Sequence, residues 1–345
     1  MKMMFDDTRE IYKRFVDSES RHIFLNRFLY SALGDLQYIK NMIQGTGWWR
    51  QLSSVLQNLH DRVFIFGAGG CGRDFLIWLD HCEGFIDNNE AIQGKYLDGK
   101  KVYSLNEVID EYGNKPHMIV IANYLHHAEI KQQCVQAGIP GDRIVDIGSL
   151  IEDMMHAQYF DLPDLRRDDA EVFVDVGGLN GATVLGFIKW CQGKYRHIYC
   201  FEPDAKSLSV CEASLSALID EGNVTLIGKG VGSVQGKARF QSADRGMSSI
   251  SVDGNVEIEV TRLDDALCDT RVTFVKMDIE GAAMDALRGA EQVIRRDRPK
   301  LAISVYHRME DIVKIPALLL DFQPNYTFYL RHYSLSSGET VLYAI

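Results

Sequence analysis

A chain of 345 residues has room for about two domains, which excludes a single small module. Hydrophobic residues make up 46% and charged residues 25%, with only 7 prolines, a mix that excludes long disordered tracts. A net charge of −11 opposes general attraction to phosphate backbones or anionic lipid, so neither a nucleic-acid partner nor membrane insertion is expected.

The opening MKMMFDDTRE lacks the continuous apolar core of a signal peptide, and no uncharged run reaches the length of a membrane span. The seven cysteines form no CxxC pair and no zinc-like cluster, as expected of reduced thiols in a cytoplasmic protein. Residues 1–60 read as a helical segment, with DSES at 17–20 supplying capping side chains. The following helix is apolar around most of its circumference (Ile23, Phe24, Leu25, Phe28, Leu29, Ala32, Leu33). It needs cover on more than one side, from the next domain or from a second copy in a homodimer. Trp48 and Trp49, at the junction of the helical segment and the first sheet, suit core packing or stacking on a sugar.

From residue 61 to 150 the texture is that of a small Rossmann-like α/β domain. VFIF (63–66), GFID (84–87), MIVIA (118–122) and RIVDI (143–147) read as buried parallel strands. The first ends in GAGGCG, so Gly67, Gly69 and Gly72 satisfy G-x-G-x-x-G, and Asp87 follows 20 residues later at the end of the next strand. Such a turn lets backbone approach a pyrophosphate while the acidic group accepts ribose hydroxyls; close strand–helix packing alone also accounts for the glycines. The segment resembles the front domain of sugar O-acyltransferases acting on nucleotide sugars, through GAGGCGRD and GFIDNN. That resemblance implies a nucleotide sugar as ligand at a second nucleotide site. The charged stretch Glu152–Glu171, with Pro163, marks a linker at 151–170.

Residues 171–345 repeat the α/β pattern with seven strand candidates: EVFVDVGG, HIYCFEP, NVTLIGKG, VTFVKMD, KLAISVYH, NYTFYLRHYS and ETVLYAI. Only SLSSG separates the last two, which predicts an antiparallel hairpin closing an otherwise parallel sheet. KARFQSA and VEIEVTRL read as extra short strands. The first strand runs into D-x-G-x-x-x-G, with Asp175, Gly177, Asn180 and Gly181. A carboxylate there can face an ammonium while glycine N–H groups approach the rest of a cofactor. The next strand ends FEPD, which puts Glu202 in position to take both hydroxyls of a ribose.

FVDVGGLNGAT, CFEPD, IEVTRLDD and VKMDIEG followed by ALRGAEQVI, in that order, resemble the FkbM family of S-adenosylmethionine (SAM)-dependent methyltransferases over about residues 171–310. The resemblance implies a class I methyltransferase sheet and an O-methyltransferase whose acceptors are often sugars or polyketide hydroxyls. It maps Asp175, Gly177, Asn180, Gly181 and Glu202 onto cofactor positions, with Gly178, Pro203 and Asp204 adjoining them. The chain departs from the family where Ala283 replaces an acidic residue and where AISVYH, with Ser304, Tyr306 and His307, replaces a strand ending in Glu.

A hydroxyl is a poor nucleophile until a base takes its proton, and topology brings Asp278, Glu280 and His307 to the same sheet edge. His307 or Asp278 is expected to remove the proton and Glu280 to orient the partner or the substrate, unless it caps its own strand–helix turn. His332 and Tyr333 are lesser candidates, and Ser248 and Ser249 belong to a loop that touches cofactor or acceptor, or is simply solvated. No acid or histidine cluster has metal-ligand spacing, so no metal is expected. The reading is SAM-dependent O-methylation of a small-molecule or saccharide acceptor in making a polysaccharide. An NAD- or nucleotide-sugar-dependent oxidoreductase or sugar-modifying enzyme built on Gly67–Gly72 competes, but leaves Asp175 and Glu202 unexplained. An inactive nucleotide-binding scaffold rests on the departures at Ala283 and Ser304.

Overall fold

The computed structural model describes residues 2–59, 61–113, 115–242, 249–250 and 254–345. The chain divides into two compact units. One comprises residues 1–34, 159–331 and 339–345, the other residues 35–158 and 332–338. This partition differs from the expected segments 1–60, 61–150, 151–170 and 171–345. The first helices pack with the C-terminal sheet, and the division between the units falls at 158/159, inside the expected 151–170 stretch and just after a helix that ends at Ala157.

In the first unit, α1 (Lys2–Arg14) leads to α2 (Ser18–Leu33). The Asp17 carboxylate caps α2 by accepting from Ser20 N at 2.7 Å, as DSES predicts. Both helices pack against a helix near the C-terminus, Asp311–Phe322. Phe15 forms a bridge with Phe328, and Ser20 accepts from Leu330 N at 2.9 Å. Arg331 donates to Asp17 at 2.7 Å. Ile11, Phe15, Ile23 and Phe24 are buried, so one face of α2 is covered within the unit, while Leu25, Leu29 and Leu33 on its other side stay exposed.

The second unit begins with α3 (Leu36–Gln44) and α4 (Trp49–Gln57), where Trp49 packs on Trp78 with ring centroids 5.6 Å apart. Its sheet comprises β1 (Arg62–Phe66), β2 (Gly84–Ile86), β3 (Tyr96–Leu97), β4 (Lys100–Tyr103), β5 (His117–Ile121) and β6 (Ile144–Asp146), in the order β3-β4-β2-β1-β5-β6. The helices are α5 (Gly70–Leu76), α6 (Leu105–Tyr112), α7 (His127–Gln136) and α8 (Gly148–Ala157). The four expected strands are present and parallel, while β3 and β4 form an unexpected antiparallel hairpin. Its two-residue turn, Asp98–Gly99, has positive φ at both positions, the geometry a D-G pair adopts between strands.

The first unit resumes with β7 (Glu171–Val176), β8 (Tyr195–Phe201), β9 (Val224–Ile227), β10 (Gly230–Val231), β11 (Gly236–Gln241), β12 (Ser249–Ile250), β13 (Val256–Thr261), β14 (Phe274–Met277), β15 (Lys300–Ser304), β16 (Phe328–His332) and β17 (Thr340–Ala344). Seven of these make one sheet in the order β16-β17-β15-β14-β7-β8-β9, and β17 runs antiparallel to β15 in the predicted closing hairpin. KARFQSA and VEIEVTRL supply β11 and β13 of a separate sheet, β10-β13-β11-β12. Phe173 stacks on Phe187 at 4.2 Å under the large sheet, and Phe160 and Phe274 close round them. Aromatic pairs of this kind add about 0.5–1.5 kcal/mol each beyond their burial.

Candidate functional site

The carboxyl ends of β7, β8, β14 and β15 meet at one edge of the large sheet. After β7 the chain turns through Gly177 (φ +96°), Leu179 (φ +48°) and Gly181 (φ +83°), and a Cβ on Gly177 would clash with the Asp278 carbonyl oxygen. A side chain on Gly178 would strike the Cys200 sulfur. These glycines therefore hold the turn against the neighbouring strand ends. Asn180 Oδ1 accepts from Ala182 N at 3.0 Å, fixing the entry to the following helix.

Glu202, at the end of β8, accepts Leu179 N on one oxygen and Asp204 N on the other, each at 2.8 Å. An ionised carboxylate has about four acceptor directions, so two stay available to a ligand's hydroxyls. Pro203 follows, and Asp204 caps the next helix, accepting from Lys206 N at 3.0 Å and Ser207 N at 3.1 Å. The Asp204 side chain thus fixes the start of that helix.

Asp175 has an ammonium partner, and it comes from this chain. Lys276, beside it in register on β14, lies 2.9 Å from Asp175 Oδ1 and donates to the Gly177 carbonyl oxygen at 2.6 Å. Both side chains are almost wholly buried, 0% and 4% exposed. Burial works against the charge on Lys276, but the charges of Asp175 and Asp278 outweigh it and hold its pKa above the ordinary lysine value. The pair ties the glycine turn to β14 from below.

Asp278, Glu280 and His307 are brought together. His307 Nε2 lies 3.4 Å from Asp278 Oδ1 and 3.5 Å from Glu280 Oε1, within ion-pair range but longer than a good hydrogen bond. Its side chain is 7% exposed, and both ring nitrogens are buried without a hydrogen-bond partner among the described residues. Burial lowers the imidazole pKa, while Glu280 and the charges of Asp278 and Glu339 raise it; the net shift is upward from 6.5. Glu280 does not cap its turn: the next helix, Ala283–Arg288, starts after Ala282 with no side-chain cap.

Three further residues complete the cluster. The Tyr159 hydroxyl donates to Asp278 Oδ2 at 2.7 Å, and the Tyr306 hydroxyl donates to Glu339 Oε1 at 3.2 Å. The Tyr306 and His307 rings lie 4.0 Å apart. Burial, then the Asp278 charge, pushes the Tyr159 phenol well above 10, so it stays a donor. Tyr159 (φ +73°), Glu280 (φ +46°) and Glu339 (φ +55°) all hold left-handed backbone that costs a side-chain-bearing residue energy and that gathers at functional sites. No spacing rule reaches Tyr159 or Glu339, which lie in the expected linker and in the final hairpin.

His332 and Tyr333 belong to the 332–338 segment of the other unit. Ser248 lies outside the described residues, and Ser249 is described only as backbone of β12. Among the described residues no group of three or more His, Cys, Asp or Glu could hold a metal ion. In the second unit, Gly67 (φ +112°) turns the chain after β1, Gly69 precedes α5, and Asp87 accepts from Ala68 N at 2.9 Å and Asn89 N at 2.8 Å.

Residues 175–329 match the family described as the methyltransferase FkbM domain, so the first unit carries a methyltransferase and the expected FkbM resemblance holds there. Residues 59–145 match a family described as C2185-like, N-terminal. That match replaces the expected resemblance to the front domain of nucleotide-sugar O-acyltransferases, which nothing supports. A solved methyltransferase FkbM from Methylobacillus flagellatus KT is similar in fold at 21% identity and a TM-score of 0.53, over 93% of this chain and 99% of that one. An rRNA methylase from Streptococcus thermophilus (18% identity, TM-score 0.35) aligns over 57% of this chain and 94% of its own. Aeropyrum pernix fibrillarin with natively bound S-adenosyl-L-methionine (12%, TM-score 0.36) aligns over 56% and 74%. No curated protein matches the chain. No helix among the described residues is long and apolar enough to cross a membrane.

Proposed function

We propose that this methyltransferase uses S-adenosylmethionine and methylates a hydroxyl of a saccharide or similar small polyol. The observation that carries the reading is His307, its ring nitrogens buried without a hydrogen bond and its Nε2 within ion-pair range of two carboxylates, beside a glycine turn that packs on Asp278. The residues fit the cofactor in one respect and differ in another. Glu202 keeps acceptor capacity for a ribose, and the positive-φ turn Gly177–Gly181 lets backbone approach a ligand. Asp175, by contrast, spends its charge on Lys276 and acts through the turn it supports.

When bound, the cofactor supplies an electrophilic methyl group on a sulfonium. The chain's task is to align an acceptor oxygen with it and take the proton. His307 Nε2 receives that proton, and Asp278 and Glu280 stabilise the resulting imidazolium. Tyr159 keeps Asp278 in place through its hydroxyl, and Tyr306 and Glu339 frame the acceptor side.

Calorimetry with S-adenosylhomocysteine and NAD, followed by methyl transfer to a panel of methyl glycosides with NMR of the product, tests the reading. Binding of S-adenosylhomocysteine, its loss in Gly181→Val, and an O-methyl product are expected. NAD binding without S-adenosylhomocysteine binding, or transfer to amines in place of hydroxyls, would overturn it.

A further inference from the structure

The second unit carries a cleft at the edge of its own sheet. It lies outside the carboxyl ends of β1, β2 and β5, where Phe66, Gly67, Asp87 and Asn123 line a space of about 430 Å³. In the order β3-β4-β2-β1-β5-β6 the chain builds one side of β1 first and then crosses to the other with β5. The cleft therefore sits where the strand order reverses, the place at which open α/β sheets bind ligands. Its size suits a sugar ring or a nucleoside.

The lining selects among ligands. It contains no lysine or arginine; it offers the carboxylates of Asp87 and Glu129 and three side-chain amides. A pyrophosphate would meet two carboxylates there, and the one basic side chain in the lining, His126, already lies 3.2 Å from Glu129. The glycine pattern has another cause. A Cβ on Gly72 would clash with the Gly67 carbonyl oxygen, and one on Gly67 would come within 2.9 Å of the Ala122 carbonyl oxygen. Close packing of strand against helix requires these glycines whatever binds.

A ring rich in hydroxyls reverses the electrostatics, because it brings donors to acceptors already held in place. Backbone N–H groups of Ala68 and Asn89 take one direction on each Asp87 oxygen and leave the other for a pair of adjacent hydroxyls. Asn88 and Gln133 exchange amide hydrogen bonds of 2.9 and 3.0 Å, which link the end of β2 to α7 and leave each amide a donor and an acceptor. Phe66, 1% exposed, and Ile130, 6% exposed, belong to the core beneath the cleft and close its floor. We infer that this cleft binds an uncharged, hydroxyl-rich ring through Asp87 and the Asn88–Gln133 amides, with no phosphate anchor. The ring belongs either to a saccharide or to the ribose of a nucleoside.

Calorimetric titration of the full chain with methyl glycopyranosides, uridine, adenosine, UDP-glucose and NAD tests this, with S-adenosylhomocysteine as a probe of the other unit. At least one phosphate-free probe should bind, and glycoside or nucleoside preference then identifies the source of the ring. Asp87→Asn should weaken that probe at least tenfold and Gln133→Ala, a change on the surface of α7, several-fold, while S-adenosylhomocysteine binding is unchanged in both. Three results overturn the inference: no phosphate-free probe binds, UDP-glucose or NAD binds more than tenfold tighter than uridine or adenosine, or both variants bind like the parent.

Discussion

An imidazole between carboxylates holds its proton to higher pH than a free one, because each negative charge stabilises the protonated ring. At His307 this outweighs the opposing effect of burial, and the folded pKa lies above 6.5. A base must be neutral to accept a proton, so kcat/KM should rise with pH through a value above 6.5. Glu280→Gln removes one stabilising charge and should move that limb to lower pH, even if the maximal rate falls. A pH–rate profile of parent and variant checks both the position and the sign; an unmoved limb would detach His307 from the proton transfer. Asp278, Glu280 and His307 were legible because strand ends of a parallel sheet converge, which an apolar run followed by polar residues reveals. Tyr159 and Glu339 follow no such run. Their backbone is left-handed (φ +73° and +55°), and nothing in a residue's identity announces that unless it is glycine or asparagine.

At the scale of the elements, the β7–β14 pairing sets the character of the site. Register places Lys276 directly beside Asp175 on the same face of the sheet, so the two charges form one buried pair. Strands could be read from the sequence, but register between strands about 100 residues apart could not; hence Asp175 read as facing a ligand's ammonium. Removing one member of a buried pair leaves an uncompensated charge. Lys276→Met should therefore cost about 3–5 kcal/mol, and Asp175→Asn added to it should recover part of the loss. Urea unfolding of the single and double variants measures this; equal stability of the single variant and the parent would show the pair to be dispensable. The β3–β4 hairpin shows the opposite case, a signal present but masked. The Asp98–Gly99 pair is a hairpin turn sequence, yet the lysines beside it hide the apolar alternation by which strands are found.

For the whole molecule, the unexpected feature is that residues 1–34 belong with a sheet that begins more than 130 residues later. Sequence shows that α2 needs cover; which surface provides it is a long-range matter that periodicity does not encode. The unit covers one face of α2 and leaves Leu25, Leu29 and Leu33 exposed. Ile11, Phe15, Ile23 and Phe24 are each at most 1% exposed, Phe15 bridges to Phe328, and buried Arg27 donates to the Tyr306 carbonyl oxygen at 3.0 Å. That last contact connects α2 to the residue preceding His307, so the N-terminal helices bear on the site as well as on stability. Losing the burial of these four side chains forfeits about 6–12 kcal/mol at 1.5–3 kcal/mol each, comparable with the whole net stability of a typical domain. A chain starting at residue 35 should therefore lose S-adenosylhomocysteine binding and the cooperative unfolding transition of the first unit, while residues 35–158 keep their own. Differential scanning calorimetry with and without S-adenosylhomocysteine distinguishes the outcomes. A truncated chain that kept a ligand-shifted transition would make α1 and α2 an appendage, and the activity of Arg27→Met in the full chain would then report separately on the Tyr306–His307 support.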